Sequence, residues 1–568
     1  MKLLGIHDGH NASAVLCEDG KVLAGIQEER LRYFKNWTGF PSESIDWLLR
    51  YTNTKPAEID MVVLNGHHMP RDLTKEELIA GQKVPWSLKT RVKSGLKKTF
   101  VGTRYTERRK QERRARLIDA GFHAGQIAFI EHHSCHAAAA YHGYGNYEEP
   151  VLVLTCDGAG DRICATVSVG EKGKLRRLAS VPESESIGNL YACITTLMGF
   201  VPLEHEYKLM GMAPYADENY SAVVKKIFWD RFQIGHEDGL TWRRKGDLPP
   251  TYYAYWYWRE LLEGKRFDSV MGGLQDFVEE FITTWVKNCI RHTGIRKLAM
   301  GGGFFMNVKA NKAIMELDEV DEVFIFPSCG DEMNAVGACF AYMGECGRGS
   351  DIAPLRDIYW GPSFNEQEIL NAIKPYQDQK SISAERHEGI NEVVAGLLAK
   401  GEVVARFAGR EEIGARSLGN RAILGDAHNP EVIGVINRMI KNRDFWMPFA
   451  SSVKAERGGD YFINPKGISA PYMILTFDTT EAGRTELRAG SHPHDGTVRP
   501  QVVYREWNPD YWSVIDEFEQ LTGRGGILNT SFNLHGYPIV HTPARAVEVL
   551  MKSGLRYLQL EHYLIRKN

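Results

Sequence analysis

The chain contains no stretch of about 18 apolar residues, the length a membrane-spanning helix requires. It has no surplus of positive charge either. Its 69 Lys and Arg face 72 Asp and Glu, a formal net charge of −3, so no general affinity for nucleic acid or membrane surfaces follows. Cysteine is scarce, with nine in 568 residues, an odd number without paired spacing. That excludes a disulfide framework and points to reduced thiols in a cytoplasmic protein. The amino end, MKLLGIHDGHNAS, turns polar by its seventh residue and makes a poor secretory signal. What is present is a soluble globular composition, 43% apolar and 25% charged, in a chain too long for one core.

A repeat organises the first half. Residues 3–26 and 151–176 each read as an apolar strand, an Asp-Gly turn, a second strand, a charged hairpin containing Gly-Lys and a third strand. Two like-folded lobes follow, the actin-like, sugar-kinase architecture, with Asp8 and Asp157 at the cleft where phosphate and its metal bind. Gly302 and Gly303, between a short apolar run and a helix, let backbone approach a ligand closely. Glycine and proline cluster over 344–365 and mark the boundary between a domain at 1–350 and a second α/β domain at 360–568. One segment departs from the charge balance: residues 83–116 hold thirteen Lys or Arg against two Glu. A solvated helix covering the first lobe is the favoured reading, ahead of a grip on an anionic acceptor. The aromatic run TYYAYWYWREL, 251–261, reads first as core and second as a pocket wall. The acceptor-lining loops are expected within 66–120 and 215–270.

The stretch EHHSCHAAAA, 131–140, places His132 and His136 four residues apart, on one face of a helix. The alanines allow close packing that would hold both imidazoles rigidly. A third ligand must come from elsewhere. Asp331 and Asp157, each following a strand that opens onto the cleft, are the candidates. Two imidazoles with carboxylate suit Fe(II), Zn(II) or Mn(II).

Together HDGHNASA, HHSCHAAAA, DGAGD, EYKLMGMAPY, GGGFFMN and GREEIGARSLGNRAIL…IKNRDFWMPFA…HDGTVRPQ…LNTSFNLHGYPIV resemble the O-carbamoyltransferases of the NodU/CmcH type, in consistent order from residue 1 to about 545. Members act on nodulation factors, cephalosporins, aminoglycosides and ansamycins. The resemblance implies an actin-like domain similar to the one that makes threonylcarbamoyl-adenosine in tRNA, with iron held by His132, His136 and Asp331. It implies a C-terminal YrdC-like domain that makes carbamoyl adenylate from carbamoyl phosphate and ATP with Mg²⁺. There Lys441 and Arg443 match a Lys-x-Arg pair, and Ser531 and Asn533 match a Ser-x-Asn pair. Arg416, Arg421 and Arg499 add charge for anionic oxygens, and Asn529 belongs to the same nucleotide-binding run. Asn307 matches a nucleotide-contacting position, with Lys208 as a further candidate. His10 is the expected general base for the acceptor hydroxyl. The chain departs from the family pattern at Ala415, Ser417 and Met447, and at Tyr537, where many members carry Glu. The expected partners are ATP, carbamoyl phosphate and a hydroxyl-bearing small molecule, not nucleic acid or membrane, and a homodimer is compatible with the sequence. The alternatives are tRNA threonylcarbamoylation and an actin-like ATPase without group transfer.

Overall fold

The computed structural model of the protein describes residues 1–69, 74–97, 100–235 and 239–568. The expected basic segment and the two expected acceptor loops therefore fall partly outside that description, at 70–73, 98–99 and 236–238. The chain divides into two compact units. One comprises Met1–Glu28 and Asn36–Leu355, the other Glu29–Lys35 and Arg356–Asn568. Among the described residues no helix is long and apolar enough to cross a membrane.

The first unit contains two five-stranded sheets of one topology. In the first the order is Lys21–Gln27, Ser13–Glu18, Lys2–His7, Met61–Asn65, Ile127–Ile130. In the second it is Lys174–Pro182, Ile163–Glu171, Val151–Gly160, Lys297–Gly301, Glu322–Ile325. Each opens with an antiparallel meander and adds two parallel strands to its first strand. The duplicated actin-like lobes are thus present. Their second hairpins even share a turn: Asp19-Gly20 and Lys172-Gly173 are both left-handed pairs, with φ of 46° and 79°, and of 50° and 75°. That is the backbone a two-residue hairpin needs to match strand twist. One detail differs from the expectation. Asp157-Gly158 lies within strand Val151–Gly160, and the reversal falls at Asp161-Arg162, with φ of 49° and 71°. A register shift after Cys156 accommodates the extra residues.

In each lobe the fifth strand leads into a helix, His132–Tyr144 in the first and Asn334–Glu345 in the second. The two helices pack closely because their facing residues are small. A Cβ at Gly337 would stand 2.8 Å from the carbonyl carbon of Cys135 and nearer still to its oxygen. Cys135 and Ala338 share a buried cluster with Val63 and Ile130. The basic segment forms the helices Leu88–Lys97 and Phe100–Asp119. Several of its cations are spent internally, in the pairs Arg108–Glu112, Arg109–Glu112 and Lys110–Glu107. The aromatic run is core only in part: Tyr255 and Trp258 are buried, the latter against Phe228 with ring centroids 5.0 Å apart, while Tyr252, Tyr253 and Tyr257 are half-buried and Trp256 is exposed.

The second unit is built on an eight-stranded mixed sheet in the order Ile382–Arg386, Tyr563–Lys567, Tyr557–Leu560, Val404–Phe407, Arg421–Gly425, Gly526–Ser531, Ala450–Lys454, Pro500–Val503. Helices Ile390–Ala399 and Pro509–Thr522 contribute Val394, Leu398, Tyr511, Ile515 and Phe518 to its buried core.

Candidate metal centre and basic site

Four side chains meet in the first unit. His132 and His136 come from the first turns of their helix, Asp157 from strand Val151–Gly160, and Asp331 from the turn after strand Glu322–Ile325. One ligand atom of each lies within 4.8 Å of all the others. The Nε2 atoms of His132 and His136 are 3.1 Å apart. Asp157 Oδ2 is 3.1 Å from His132 and 3.6 Å from His136, and Asp331 Oδ1 is 3.4 Å and 3.2 Å from the same atoms. A tetrahedral ion with bonds of ~2.1 Å sets its donors ~3.4 Å apart, so these separations fit a two-imidazole, two-carboxylate site. The electrostatics agree. Burial lowers the pKa of His132, but Asp331 and Asp157 outweigh it and bring it up to about 9. Burial opposes ionisation of Asp157, yet His132 and His136 hold its carboxyl well below the ordinary range. Two carboxylates here demand positive charge, which a divalent cation supplies as well as two protons do.

The surrounding residues orient this set. Glu131 caps the helix, accepting from the backbone N–H of His133 and Ser134. Asp161 accepts from the N–H groups of His132, His67 and His68 at 2.9, 2.9 and 2.6 Å. Asn65 Nδ2 stands 2.7 Å from His7 Nδ1 and 3.3 Å from His132 Nδ1, and Asn334 Nδ2 stands 3.0 Å from His136 Nε2. The carbonyl oxygens of both amides are buried without partners. Turned over, the Asn65 amide would accept from His132 Nδ1–H, the tautomer that frees Nε2 for a metal. Burial, partly offset by Asp331, lowers the pKa of His7 to about 4. Sequence reasoning passed over Asn65, His7 and Asp161. The last stood in the quoted DGAGD, but no role was attached to it.

His10 lies at the same turn, its carbonyl 2.9 Å from His7 Nε2. Asp8, expected among the phosphate and metal ligands, is instead 6% exposed and bound bidentately by Arg113, both contacts at 2.7 Å. Arg113 also donates to the carbonyls of Asn65 and Gly66 and lies over the Phe129 ring. Gly302 has φ 106°, and a Cβ there would come within 2.9 Å of the Cys156 carbonyl carbon. Gly303 N–H donates to Asp157 Oδ1 at 3.2 Å. Asn307 caps helix Val308–Met315 and exchanges two 3.0 Å hydrogen bonds with Gln275, which also takes one from Tyr191. Lys208 rests on the Phe200 ring.

In the second unit a π-helical turn, Asn437–Lys441, ends at Asn442 with φ 45°. That reversal sends Lys441 and Arg443 to the end of strand Gly526–Ser531. Lys441 Nζ donates to Ser531 Oγ at 3.1 Å and to Asn533 Oδ1 at 2.6 Å, and Arg443 donates to Thr530 Oγ1 at 2.9 Å. Burial, then Arg443 and Lys35, push Lys441 well below its ordinary pKa. Burial, then Arg416 and Arg443, do the same to Arg499. The structure therefore brings Lys441 and Arg443 to Thr530, Ser531 and Asn533, and Arg499 feels the charge of Arg416 and Arg443. Two candidates face elsewhere. Arg421 is fully buried and donates to the carbonyls of Ala408, Gly409, Asn420 and Pro362. Asn529 is buried in the sheet, bonded to Ser417, Ser452 and Gln501. Glu412 holds the loop before them, accepting from Ser417 Oγ and from the N–H groups of Leu418 and Arg421.

Two family models match the chain, Carbamoyltransferase N-terminus over residues 2–340 and Carbamoyltransferase C-terminus over 395–567. Nodulation protein NolNO of Sinorhizobium fredii is 30% identical, spanning 98% of this chain and 79% of its own. Nodulation protein U of the same organism is 30% identical over 96% of each chain. Nodulation protein NolO of Bradyrhizobium diazoefficiens is 31% identical over 77% of this chain and 79% of its own. Among solved structures, full-length HypF in its phosphate- and nucleotide-bound form is similar over 62% of this chain and 56% of its own, at 13% identity and a TM-score of 0.33.

Proposed function

The chain belongs to the carbamoyltransferase family, and from that premise we propose that it is an ATP-dependent O-carbamoyltransferase acting on a hydroxyl of a small-molecule acceptor. The second unit activates the carbamoyl group. Carbamoyl phosphate is hydrolysed to inorganic phosphate and carbamate. The carbamate oxygen then attacks the α-phosphorus of Mg²⁺-bound ATP, the bond to pyrophosphate breaks, and carbamoyl adenylate forms. Joining two anionic reactants is mainly a matter of neutralisation and alignment. Arg416, Arg443, Arg499 and Lys441 are the groups that do both, with Ser531 and Asn533 holding Lys441. The observation that carries this reading is the convergence of Lys441 and Arg443 on the end of strand Gly526–Ser531, where they bond Ser531, Asn533 and Thr530. Among the described residues Arg499 has no carboxylate partner, and its buried Nε has no acceptor. Such a cluster is stable only with an anion in its midst.

Transfer belongs to the first unit. The acceptor oxygen attacks the carbamoyl carbon, AMP leaves, and His10, at the mouth of the turn, takes the hydroxyl proton. His132, His136, Asp157 and Asp331 would hold Fe(II), Zn(II) or Mn(II), and the ion would supply Lewis-acid polarisation of the carbamoyl group. The test is pyrophosphate release from ATP and carbamoyl phosphate without acceptor. Wild type and His136→Ala release it, Arg443→Ala does not, and His136→Ala then fails to pass the carbamoyl group to the acceptor. Equal loss of the first step in both variants would refute the division of labour.

A further inference from the structure

Seven residues near the start of the chain, Glu29–Lys35, belong to the second unit, whereas Glu28 and Asn36 on either side belong to the first. The stems are held in the first unit: Glu28 N–H donates to Ala12 O, and Trp37 O accepts from Ala12 N–H. Between them the chain forms the end of helix Glu28–Arg32 and then turns sharply at Tyr33, φ 52°, and Asn36, φ 56°. An aromatic residue rarely takes left-handed backbone, and it stays there only where its surroundings fix it.

Those surroundings are two loops of the basic site. Arg30, 3% exposed, donates through Nη2 to Gly414 O at 2.7 Å, and its Nε lies 3.7 Å from Glu411. Both partners sit in the loop that carries Arg416. Tyr33 stacks on Tyr537 with ring centroids 5.1 Å apart, and the Arg545 guanidinium lies 4.0 Å from the Tyr33 centroid on another side. Tyr537 O accepts from Asn533 Nδ2 at 2.7 Å, and Asn533 is the residue whose Oδ1 takes the Lys441 ammonium.

We propose that Glu29–Lys35 is a positioning arm of the basic site: Arg30 fixes the Arg416 loop and Tyr33 fixes the Asn533–Tyr537 loop, so that the site binds carbamoyl phosphate tightly only with residues supplied from the start of the chain. The choice of substrate rests on the function proposed above. Lys35, at the end of the arm, adds its charge to that of Arg443 in lowering the pKa of Lys441.

The test uses the full-length protein and the variants Tyr33→Ala, Tyr33→Phe and Arg30→Met. Hydrogen exchange of peptides covering 411–416 and 533–537 should quicken at least tenfold in the second loop for Tyr33→Ala and in the first for Arg30→Met, and remain at the wild-type rate in Tyr33→Phe. In the pyrophosphate assay, KM for carbamoyl phosphate should rise at least tenfold in the first and third variants with kcat within twofold, and Tyr33→Phe, which keeps the ring, should match wild type. Unchanged exchange in both loops overturns the proposal, and so does a Tyr33→Phe as impaired as Tyr33→Ala or a loss confined to kcat. If wild type releases no pyrophosphate while exchange responds as expected, the substrate assignment fails and the arm stands.

Discussion

Replacing Gly160 by alanine should empty the metal centre without touching a ligand. Gly160 ends strand Val151–Gly160 beneath the His132 ring. A Cβ built there stands 2.7 Å from the Cβ of His132 and closer still to ring carbons Cγ and Cδ2. Carbon atoms pack at ~3.5–4.0 Å, so the imidazole must retreat by ~1 Å or more. It cannot do so by rotating about χ1, because its own Cβ is among the clashing atoms. Nor can the backbone yield freely, since His132 N–H is held by Asp161 at 2.9 Å. Metal–ligand bonds tolerate only ~0.2 Å. Disturbing the outer shell of such a site costs ~10–100-fold in affinity, and displacing a ligand should cost at least ~100-fold. The assay is competition of the full-length protein against a chelator, run with Fe(II), Zn(II) and Mn(II) and read as bound metal per chain. Gly125→Ala, where an added Cβ meets nothing within 4 Å, serves as control. Overpacking should lower stability by only ~1–3 kcal/mol, so thermal unfolding shows that the variant is folded. Wild-type metal affinity in Gly160→Ala would refute the argument that these four residues form the site in this geometry.

Arg113→Met should cost ~3–5 kcal/mol in chemical denaturation, because it strands the buried carboxylate of Asp8, and adding Asp8→Asn should restore part of that loss. Burial opposes ionisation of Glu411, but His541, then Arg30 and Arg421, outweigh it and hold the carboxyl below its ordinary value. A depressed carboxylate contributes stability above its unfolded pKa and loses it as pH falls through the folded one. The urea midpoint of wild type should therefore drop more steeply on acidification than that of Glu411→Gln. Arg499→Met should raise the thermal midpoint, since it relieves a cation buried among cations, while lowering pyrophosphate release; a fall in both would argue against an anion site.

The sequence exposed the cluster of His132, His136, Asp157 and Asp331 because helix periodicity is geometric. Residues four apart share a face whatever the fold, and the ends of repeated strands meet wherever two lobes are related by duplication. It was least informative where direction, rather than residue type, decides. Arg421 and Arg499 are both arginines with a buried Nε, yet the first turns its guanidinium onto four carbonyls, while the second feels the charge of Arg416 and Arg443. Nothing in composition separates them. The excursion Glu29–Lys35 was equally hidden, since seven residues inside a helix-and-turn stretch carry no periodicity of their own.

The repeat also shows how one fold yields two different ends. Asp8 and Asp157 follow the first strand of their respective meanders and look interchangeable in sequence. In the first lobe the connection between the fourth and fifth strands, from Asn65 to Ile127, contains helix Phe100–Asp119, and this helix delivers Arg113 to Asp8. Among the described residues no arginine pairs with Asp157 in the second lobe, and Asp157 faces the two imidazoles that start the first lobe's last helix. The carboxylate that a guanidinium neutralises is withdrawn from the cluster; its counterpart stands with Asp331 beside the two imidazoles. On this account a single buried arginine, rather than any difference in sheet order, decides which half of the duplication provides the second carboxylate, and Arg113→Met should leave metal affinity intact even as it destabilises the fold.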